Sequence, residues 1–162
     1  MRALALFYVL FMASPALALD GQQRLVGVWK LESWYSEFKT TGEKKNFYGE
    51  RPNGYLTFTP EKRMLVLVTA AQRQNPQTDE HRVAAFRSMA AYSGVYRVKG
   101  DRWITNVDVA WDESWIGTEQ VRFFRIEGDR LTVTTAFQRN PNLPGNPETR
   151  GVLIWKRVKA SR

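Results

Sequence analysis

The sequence predicts an all-β protein, built either as a sandwich of two sheets or as a closed barrel. Eight segments alternate apolar and polar residues with a period of two, which is typical of strands with one buried face. Short turns, among them Gly128-Asp129, join several of these segments as hairpins. Only one segment has helical spacing, and eight short strands with one helix fit either all-β architecture.

The eight predicted strands follow one another along the chain. They cover residues 25–36, 54–59, 63–69, 93–98, 102–111, 118–127, 130–138 and 151–158. In the first strand, alternation places one set of residues on a common face: Gly27, Trp29, Leu31, Ser33 and Tyr35. If the strands close into a barrel, eight of them leave just enough room for side chains or one small ligand.

Residues 78–92, between the third and fourth predicted strands, have the pattern of an amphipathic helix. Thr78 or Asp79 can cap its N-terminus. Its apolar residues recur at helical spacing: Val83, Phe86, Met89 and Ala90. This helix and the long first loop, residues 37–53, are expected to act as lids over one end of the protein.

The first 18 residues have the layout of a secretory signal peptide. Met1-Arg2 supplies a positive charge, residues 3–13 form an apolar run, and Ala16 and Ala18 form an A-x-A pattern. The alternative is a short N-terminal anchor or a buried helix, although a membrane span needs roughly 20 apolar residues. We expect cleavage after Ala18, a single domain over residues 19–162, and a periplasmic or secreted location.

The amino-acid composition limits the kinds of partner and cofactor that the protein can have. The chain contains no cysteine, so it has no disulfides and its core must hold it together. The net charge of +8 comes from scattered basic residues, which is typical of a solvated surface, and export argues against a nucleic acid partner. No later segment is apolar enough to be transmembrane. One histidine, His81, cannot build a zinc site, so neither a metal nor another cofactor is expected.

The stretch Gly27-Val28-Trp29 resembles the G-x-W signature of the first lipocalin strand. In that family the tryptophan plugs the closed end of the barrel, and an arginine near the end of the last strand packs across it. The resemblance implies that Arg157 takes this role, with a cation–π attraction of roughly 0.5–2 kcal/mol. Glycine at position 27 would let the strand bend tightly around the plug.

Longer stretches resemble the bacterial lipocalin-like domain family over residues 25–158. They are "GYLTFTPEKRM", "AYSGVYRVKGD", "DVAWDESWIGTEQVRFFRIEGDRLTV" and "LIWKRV". The resemblance implies an eight-stranded antiparallel up-and-down β-barrel, with one short helix between strands 3 and 4, that holds a small, mostly apolar molecule. Family members often carry histidine in the fifth strand, where this chain has Thr105 and Asn106, so imidazole chemistry is not expected there.

Strand alternation then predicts the lining of the barrel, because the apolar face of a wetted barrel turns inward. The predicted ligand-binding residues on the fifth strand are Trp103, Thr105, Val107 and Val109. Tyr96 on the fourth strand and Phe58 on the second add to this set. Aromatic residues near loops are expected to rim the open mouth: Tyr35, Phe38, Phe47, Tyr48, Tyr92, Trp111 and Trp115. A solid core without a cavity is the alternative.

Arg122 on the sixth strand points either inward or to solvent. If it points inward, it needs an anionic partner, which would be Glu119, Asp108 or a carboxylate of the ligand. The sequence therefore favours a binding protein for a small hydrophobic molecule, which would bear a carboxylate in the inward case.

An alternative function is that of an isomerase or cyclase acting on a polyketide- or terpenoid-like substrate. It would use Asp108, Glu119 or Arg122 inside the barrel. A third hypothesis is an interaction protein with a solid barrel and binding loops. Asp112 and Glu113, in the loop between Trp111 and Trp115, could serve as general base and acid, but acidic loops are ordinary. No nucleophile–base pattern or phosphate-binding glycine loop is present, so no catalytic residue is assigned.

Overall fold

The computed structural model describes residues 16–141 and 143–159. Two helices, α1 (Ala16–Leu25) and α2 (Asp79–Arg87), and a 3₁₀ helix (Glu113–Trp115) accompany the strands. The strands are β1 (Gly27–Phe38), β2 (Lys44–Lys45), β3 (Asn53–Phe58), β4 (Arg63–Thr69), β5 (Met89–Lys99), β6 (Arg102–Ala110), β7 (Glu119–Glu127), β8 (Arg130–Thr134), β9 (Gln138–Arg139) and β10 (Glu148–Arg157). Most of the predicted signal peptide, residues 1–15, lies outside the described residues, and residues 16–18 belong to α1.

Eight antiparallel strands close into a barrel. The order is β1-β3-β4-β5-β6-β7-β8-β10, and β10 pairs with β1 to complete the ring. The two-residue strands β2 and β9 add only short ladders to β1 and β10. This closure confirms a barrel and excludes a sandwich. Helix α2 lies between β4 and β5, which correspond to the third and fourth predicted strands because β2 was not predicted.

Two strands carry a β-bulge, and each bulge reverses the inward and outward faces of its strand. In β1, Leu31 and Ser33 pair with the consecutive β10 residues Trp155 and Ile154, so that one residue between them is unpaired. In β6, Val107 pairs with Gly94 and Val109 pairs with the adjacent Ser93, so that one β6 residue is again unpaired. Gly94 permits this close approach, because a Cβ there would collide with the carbonyl oxygen of Asn106.

The bulges correct two predictions based on uninterrupted alternation. Beyond the first bulge, Trp34 borders the interior, and Tyr35 leaves the face that it was predicted to share with Trp29. Beyond the second, Ala110 packs on the core, and the side chain of Val109 is 62% exposed. Val109 therefore does not line the barrel.

Helix α2 is shorter than predicted because its last residues join the sheet. It ends at Arg87, where the backbone N–H of Ser88 donates to the carbonyls of Ala84 and Ala85. Residues 89–92 instead pair with residues 66–69 of β4, so ladder hydrogen bonds replace helical ones. No residue of α2 is buried. Within the described part of the chain, no helix has the length and apolar character needed to cross a membrane.

One end of the barrel is closed by a tryptophan. The Trp29 side chain is fully buried, and its indole N–H donates to the carbonyl of Leu25 at 2.9 Å. The Arg157 guanidinium lies 4.0 Å from the centre of the Trp29 ring and donates to the backbone carbonyls of Val26 and Arg24. Arg157 thus covers the plug and ties the end of α1 to the barrel.

Gly27 makes room for this arrangement. Its φ angle of +129° is one that residues with a side chain rarely adopt. A Cβ at this position would lie 2.9 Å from a guanidinium nitrogen of Arg157. The G-x-W spacing therefore has a physical basis, since the glycine accommodates the arginine that covers the tryptophan two residues later.

Candidate functional site

A cavity of about 300 Å³ lies inside the barrel, on the side away from the Trp29 plug. Seven aromatic side chains border it: Trp34, Tyr48, Tyr92, Trp103, Trp111, Trp115 and Trp155. Leu56, Val66, Val68, Val133 and Leu153 supply aliphatic walls. No carboxylate belongs to its described lining. Polar side chains complete the lining: Ser36, Arg122, Thr135, Gln138, Asn140 and Thr149. A mostly apolar hollow of this size with some polar groups is typical of a small-molecule site.

Ring contacts fix the aromatic residues around the mouth. Trp34 stacks on Tyr48 from the first loop, with ring centres 3.8 Å apart and planes inclined by 18°. Trp115 of the 3₁₀ helix packs edge-on to Trp111 at 5.0 Å and against Tyr92 at 5.3 Å. Burial raises the pKa of the Tyr48 phenol above its usual value, so it is neutral at neutral pH. These aromatic rings surround the mouth of the cavity.

A wider hollow of about 810 Å³, the vestibule, adjoins the cavity and shares Trp34, Tyr48 and Trp111 with it. Its other described lining includes Tyr35, Phe47 and Phe86. The first loop and α2 thus both border the vestibule, as expected of lids. The Lys44 ammonium lies 5.1 Å from the centre of the Tyr35 ring, in a cation–π contact.

Arg122 is the one described cation of the cavity lining, and it makes no ion pair within the described part of the chain. Its guanidinium donates to the Val121 carbonyl at 2.9 Å and to the Gln120 side-chain oxygen at 3.1 Å. It also lies 5.8 Å from the Tyr92 ring centre and 5.9 Å from that of Trp115. Because a guanidinium has five N–H donors, some remain available to a ligand.

The two carboxylates predicted as partners of Arg122 pair elsewhere. Asp108 receives two hydrogen bonds from the Arg63 guanidinium, at 3.0 and 2.6 Å, and this pairing lowers the pKa of Asp108. Glu119 pairs with Arg97 at 2.9 Å. All four side chains are about half exposed on the outer face of the barrel. Neither the Asp108 nor the Glu119 carboxylate therefore lies inside the barrel.

Two tryptophans of the cavity lining, Trp103 and Trp155, are almost completely buried. Trp103 on β6 packs edge-on to Phe58 at 5.1 Å and against Phe124 at 5.6 Å. Trp155 on β10 pairs in register with Leu31 and with Leu131. Both residues are 1% exposed, and their indole N–H groups, like the hydroxyls of Tyr96 and Thr105, are buried without a hydrogen-bond partner among the described residues.

The structure brings together only part of the predicted ligand-binding set. Trp103 and Arg122 line the cavity, and Tyr35 lines the vestibule. Four others are buried in the core but do not border the cavity: Phe58, Tyr96, Thr105 and Val107. Of these, Thr105 and Tyr96 face each other across β5 and β6. Val109 lies outside.

Sequence reasoning missed Trp34 and Trp155 as lining residues. Trp34 lies on the predicted outer face of β1, and only the bulge before Ser33 turns it inward. Alternation along the last strand places Trp155 on the same face as Arg157, but the sequence does not say how far from the plug each residue of that face lies. Among the expected rim residues, Phe38 borders neither the cavity nor the vestibule. The Lys45 ammonium lies 5.1 Å from the centre of its ring.

Comparison with known proteins identifies a family and one curated relative. The family model described as "Lipocalin-like domain" matches residues 26–158. Among curated proteins, the 4'-hydroxy-3'-methoxypropiophenone carrier protein of Aspergillus oryzae is 33% identical over 89 residues. That match covers 50% of this chain and 78% of the relative.

Proposed function

The chain belongs to the lipocalin-like domain family, and from that premise we propose that it binds a small aromatic molecule in the barrel and carries it chemically unchanged. One observation carries the proposal: a cavity of about 300 Å³ is bordered by seven aromatic side chains and has no carboxylate in its described lining. Aromatic walls favour a flat aromatic ligand, because rings gain from stacked and edge-on contacts beyond simple burial.

The name of the Aspergillus oryzae relative supports the same ligand class. The molecule in its name is a phenyl ketone with a hydroxyl and a methoxy substituent, and the relative shares a third of its aligned residues with this chain. The aromatic lining of the cavity can make ring contacts with a molecule of this kind. We propose that oxygen-substituted phenyl compounds are the ligands of this protein.

Arg122 provides a contact for an acidic oxygen. Its guanidinium is partly buried in the lining and makes no ion pair with a described residue. A carboxylate or a phenolate of the ligand would supply the missing charge partner with charge-assisted hydrogen bonds. We propose that Arg122 lets the protein accept acidic aromatic ligands as well as neutral ones.

The geometry favours carriage over an isomerase or cyclase activity. Catalysis of that kind needs a positioned acid or base, and Asp108 and Glu119 pair with arginines on the outer face. Asp112 lines the vestibule, where its side chain caps the 3₁₀ helix by accepting from the Ser114 N–H. The aromatic cavity, by contrast, meets the requirements of binding without further groups.

Isothermal titration calorimetry with 4'-hydroxy-3'-methoxypropiophenone tests the proposal. Val66→Phe places a larger side chain in the cavity, because Val66 is 8% exposed and belongs to the lining. Leu65→Phe is the matched control, because the neighbouring Leu65 is 52% exposed on the opposite face of β4. We expect wild type and Leu65→Phe to bind alike and Val66→Phe to bind about tenfold more weakly or not at all.

Two outcomes of this titration would contradict the proposal. If the wild-type protein binds neither this ketone nor any member of a panel of aromatic acids and phenols, the cavity is not a carrier site. Equal weakening by Leu65→Phe and Val66→Phe would place the binding site outside the barrel.

We also propose that the protein is exported. The charged start, the apolar run over residues 3–13 and the Ala16-x-Ala18 pattern support a signal peptide, and the absence of cysteine is compatible with a periplasmic or secreted domain. The intact mass of protein recovered from the periplasm or medium of its host should correspond to residues 19–162. Recovery of the full-length chain from the cytosol would contradict export.

A further inference from the structure

Two half-exposed phenylalanines line the vestibule. Phe47 comes from the first loop and Phe86 from α2, and they are 49% and 50% exposed. Neither ring has a stacked or edge-on partner among the described residues. A single exposed phenylalanine is ordinary on a protein surface, but two that border one hollow from separate elements are typical of a binding surface.

The vestibule adjoins the cavity along shared walls. Trp34, Tyr48 and Trp111 border both hollows. The stacking of Trp34 on Tyr48 and the edge-on contact of Trp111 with Trp115 hold these walls in place. Because the same rings belong to both hollows, a ligand that extends out of the cavity passes these rings and enters the vestibule.

The volumes favour a ligand larger than one substituted ring. Sites for drug-sized molecules have volumes of about 300–1,000 Å³. The cavity, at about 300 Å³, lies at the lower end of this range, and the vestibule is a further hollow of about 810 Å³. A molecule with a single ring in the cavity would leave Phe47 and Phe86 exposed to water.

The lining of the vestibule specifies the chemistry of the group that it would receive. Tyr35, Phe47 and Phe86 present aromatic rings, which favour a second aromatic ring over an aliphatic chain because ring pairs gain from offset-stacked and edge-on contacts. The two charged side chains of the described lining, Arg87 and Asp112, have opposite signs, so the vestibule favours neither an anion nor a cation. The second ring should therefore be uncharged.

We infer that the vestibule is a second aromatic subsite and that the ligands are diaryl compounds, in which a short chain joins two aromatic rings. One ring occupies the cavity and the other lies against Phe47 and Phe86. This inference rests on the proposed function, since it assumes that the ligand enters the cavity. It extends the ligand class from phenyl compounds with one ring to molecules with two.

Three ketones separate the contribution of the second ring from that of the first. Propiophenone carries one ring, 3-phenylpropiophenone adds a second at the end of the chain, and 3-cyclohexylpropiophenone adds a saturated ring of similar size. In calorimetry on the wild-type protein, 3-phenylpropiophenone should bind at least about tenfold more tightly than propiophenone and about threefold more tightly than the cyclohexyl compound.

The remaining outcomes of this titration overturn the inference in distinguishable ways. If propiophenone binds as tightly as 3-phenylpropiophenone, the carrier proposal stands and the inference is wrong. Equal binding of the phenyl and cyclohexyl compounds would show that the vestibule takes any apolar group, which contradicts the diaryl assignment. Failure of all three ketones to bind would also overturn it, and the aromatic acids and phenols named above then decide whether the carrier proposal fails as well.

Truncation of the two phenylalanines tests where the second ring lies. Phe47→Ala and Phe86→Ala should each lower the preference for 3-phenylpropiophenone over propiophenone by about threefold, and the double variant should abolish it. Val83→Ala is the matched control, because Val83 is a 48% exposed apolar residue of the same helix as Phe86 and does not border the vestibule. It should keep the full preference. A preference that survives in the double variant overturns the inference.

Nuclear Overhauser contacts in the wild-type complex make the test independent of the variants. One ring of bound 3-phenylpropiophenone should contact the methyl groups of Val66 and Val133 in the cavity, and the other should contact the rings of Phe47 and Phe86. Contacts of both rings with the cavity, or of both with the vestibule, would contradict the inference.

Discussion

Removal of the plug at the closed end is the perturbation with the best-defined cost. Trp29→Ala deletes a side chain that is fully buried and makes three kinds of contact. The indole packs in the core, donates to the Leu25 carbonyl, and lies under the Arg157 guanidinium at 4.0 Å. None of these contacts can be re-formed by alanine.

The magnitude follows from comparable core truncations. Replacing a buried tryptophan by alanine costs about 3–5 kcal/mol, because the transfer free energy is lost and a cavity remains. Loss of the cation–π contact and of the indole hydrogen bond places Trp29→Ala in the upper half of that range. Since small domains have a free energy of unfolding of about 5–15 kcal/mol, the variant should fold but be strongly destabilised.

Urea denaturation followed by far-ultraviolet circular dichroism measures the loss without depending on tryptophan emission. Trp29→Phe keeps most of the apolar contact and should cost only about 1–2 kcal/mol. Trp111→Ala at the mouth, where the side chain is partly exposed, should also cost less than Trp29→Ala. A loss below about 1 kcal/mol for Trp29→Ala would refute its role as the plug.

Two further predictions concern backbone and charge. Gly27→Ala should lower the free energy of unfolding by about 1–3 kcal/mol, because φ is +129° and the new Cβ would press on Arg157, whereas Val28→Ala on the outer face should cost less. The Arg63 guanidinium lowers the pKa of Asp108, so this ion pair stabilises the fold above the unfolded pKa of about 3.9 and the benefit is lost as the pH falls through the lower folded value. Urea curves of wild type and Asp108→Asn should differ at pH 6 and converge toward pH 3; an equal difference at both pH values would contradict this sign.

Local pattern was enough to predict most of the architecture. Period-two alternation and short turns located all eight barrel strands, and the lipocalin resemblance of Gly27, Trp29 and Arg157 anticipated neighbours that the structure places in contact. Family resemblance supplied what alternation left open, namely closure into a barrel instead of a sandwich. These features were accessible because each depends on residues close together in the chain or on a recurrent motif.

The class of fold, the strands and the apolar character of the interior thus follow from the amino-acid pattern of the chain. Which residues face the cavity depends on how the strands pair, because a single extra residue in β1 and another in β6 reverse every side chain that follows. A bulge depends on the partner strand, as Gly94 opposite Val107 shows, and no pattern within β6 announces it. For the same reason the end of α2 was set by pairing with β4, which competes with the helix from a distant part of the chain.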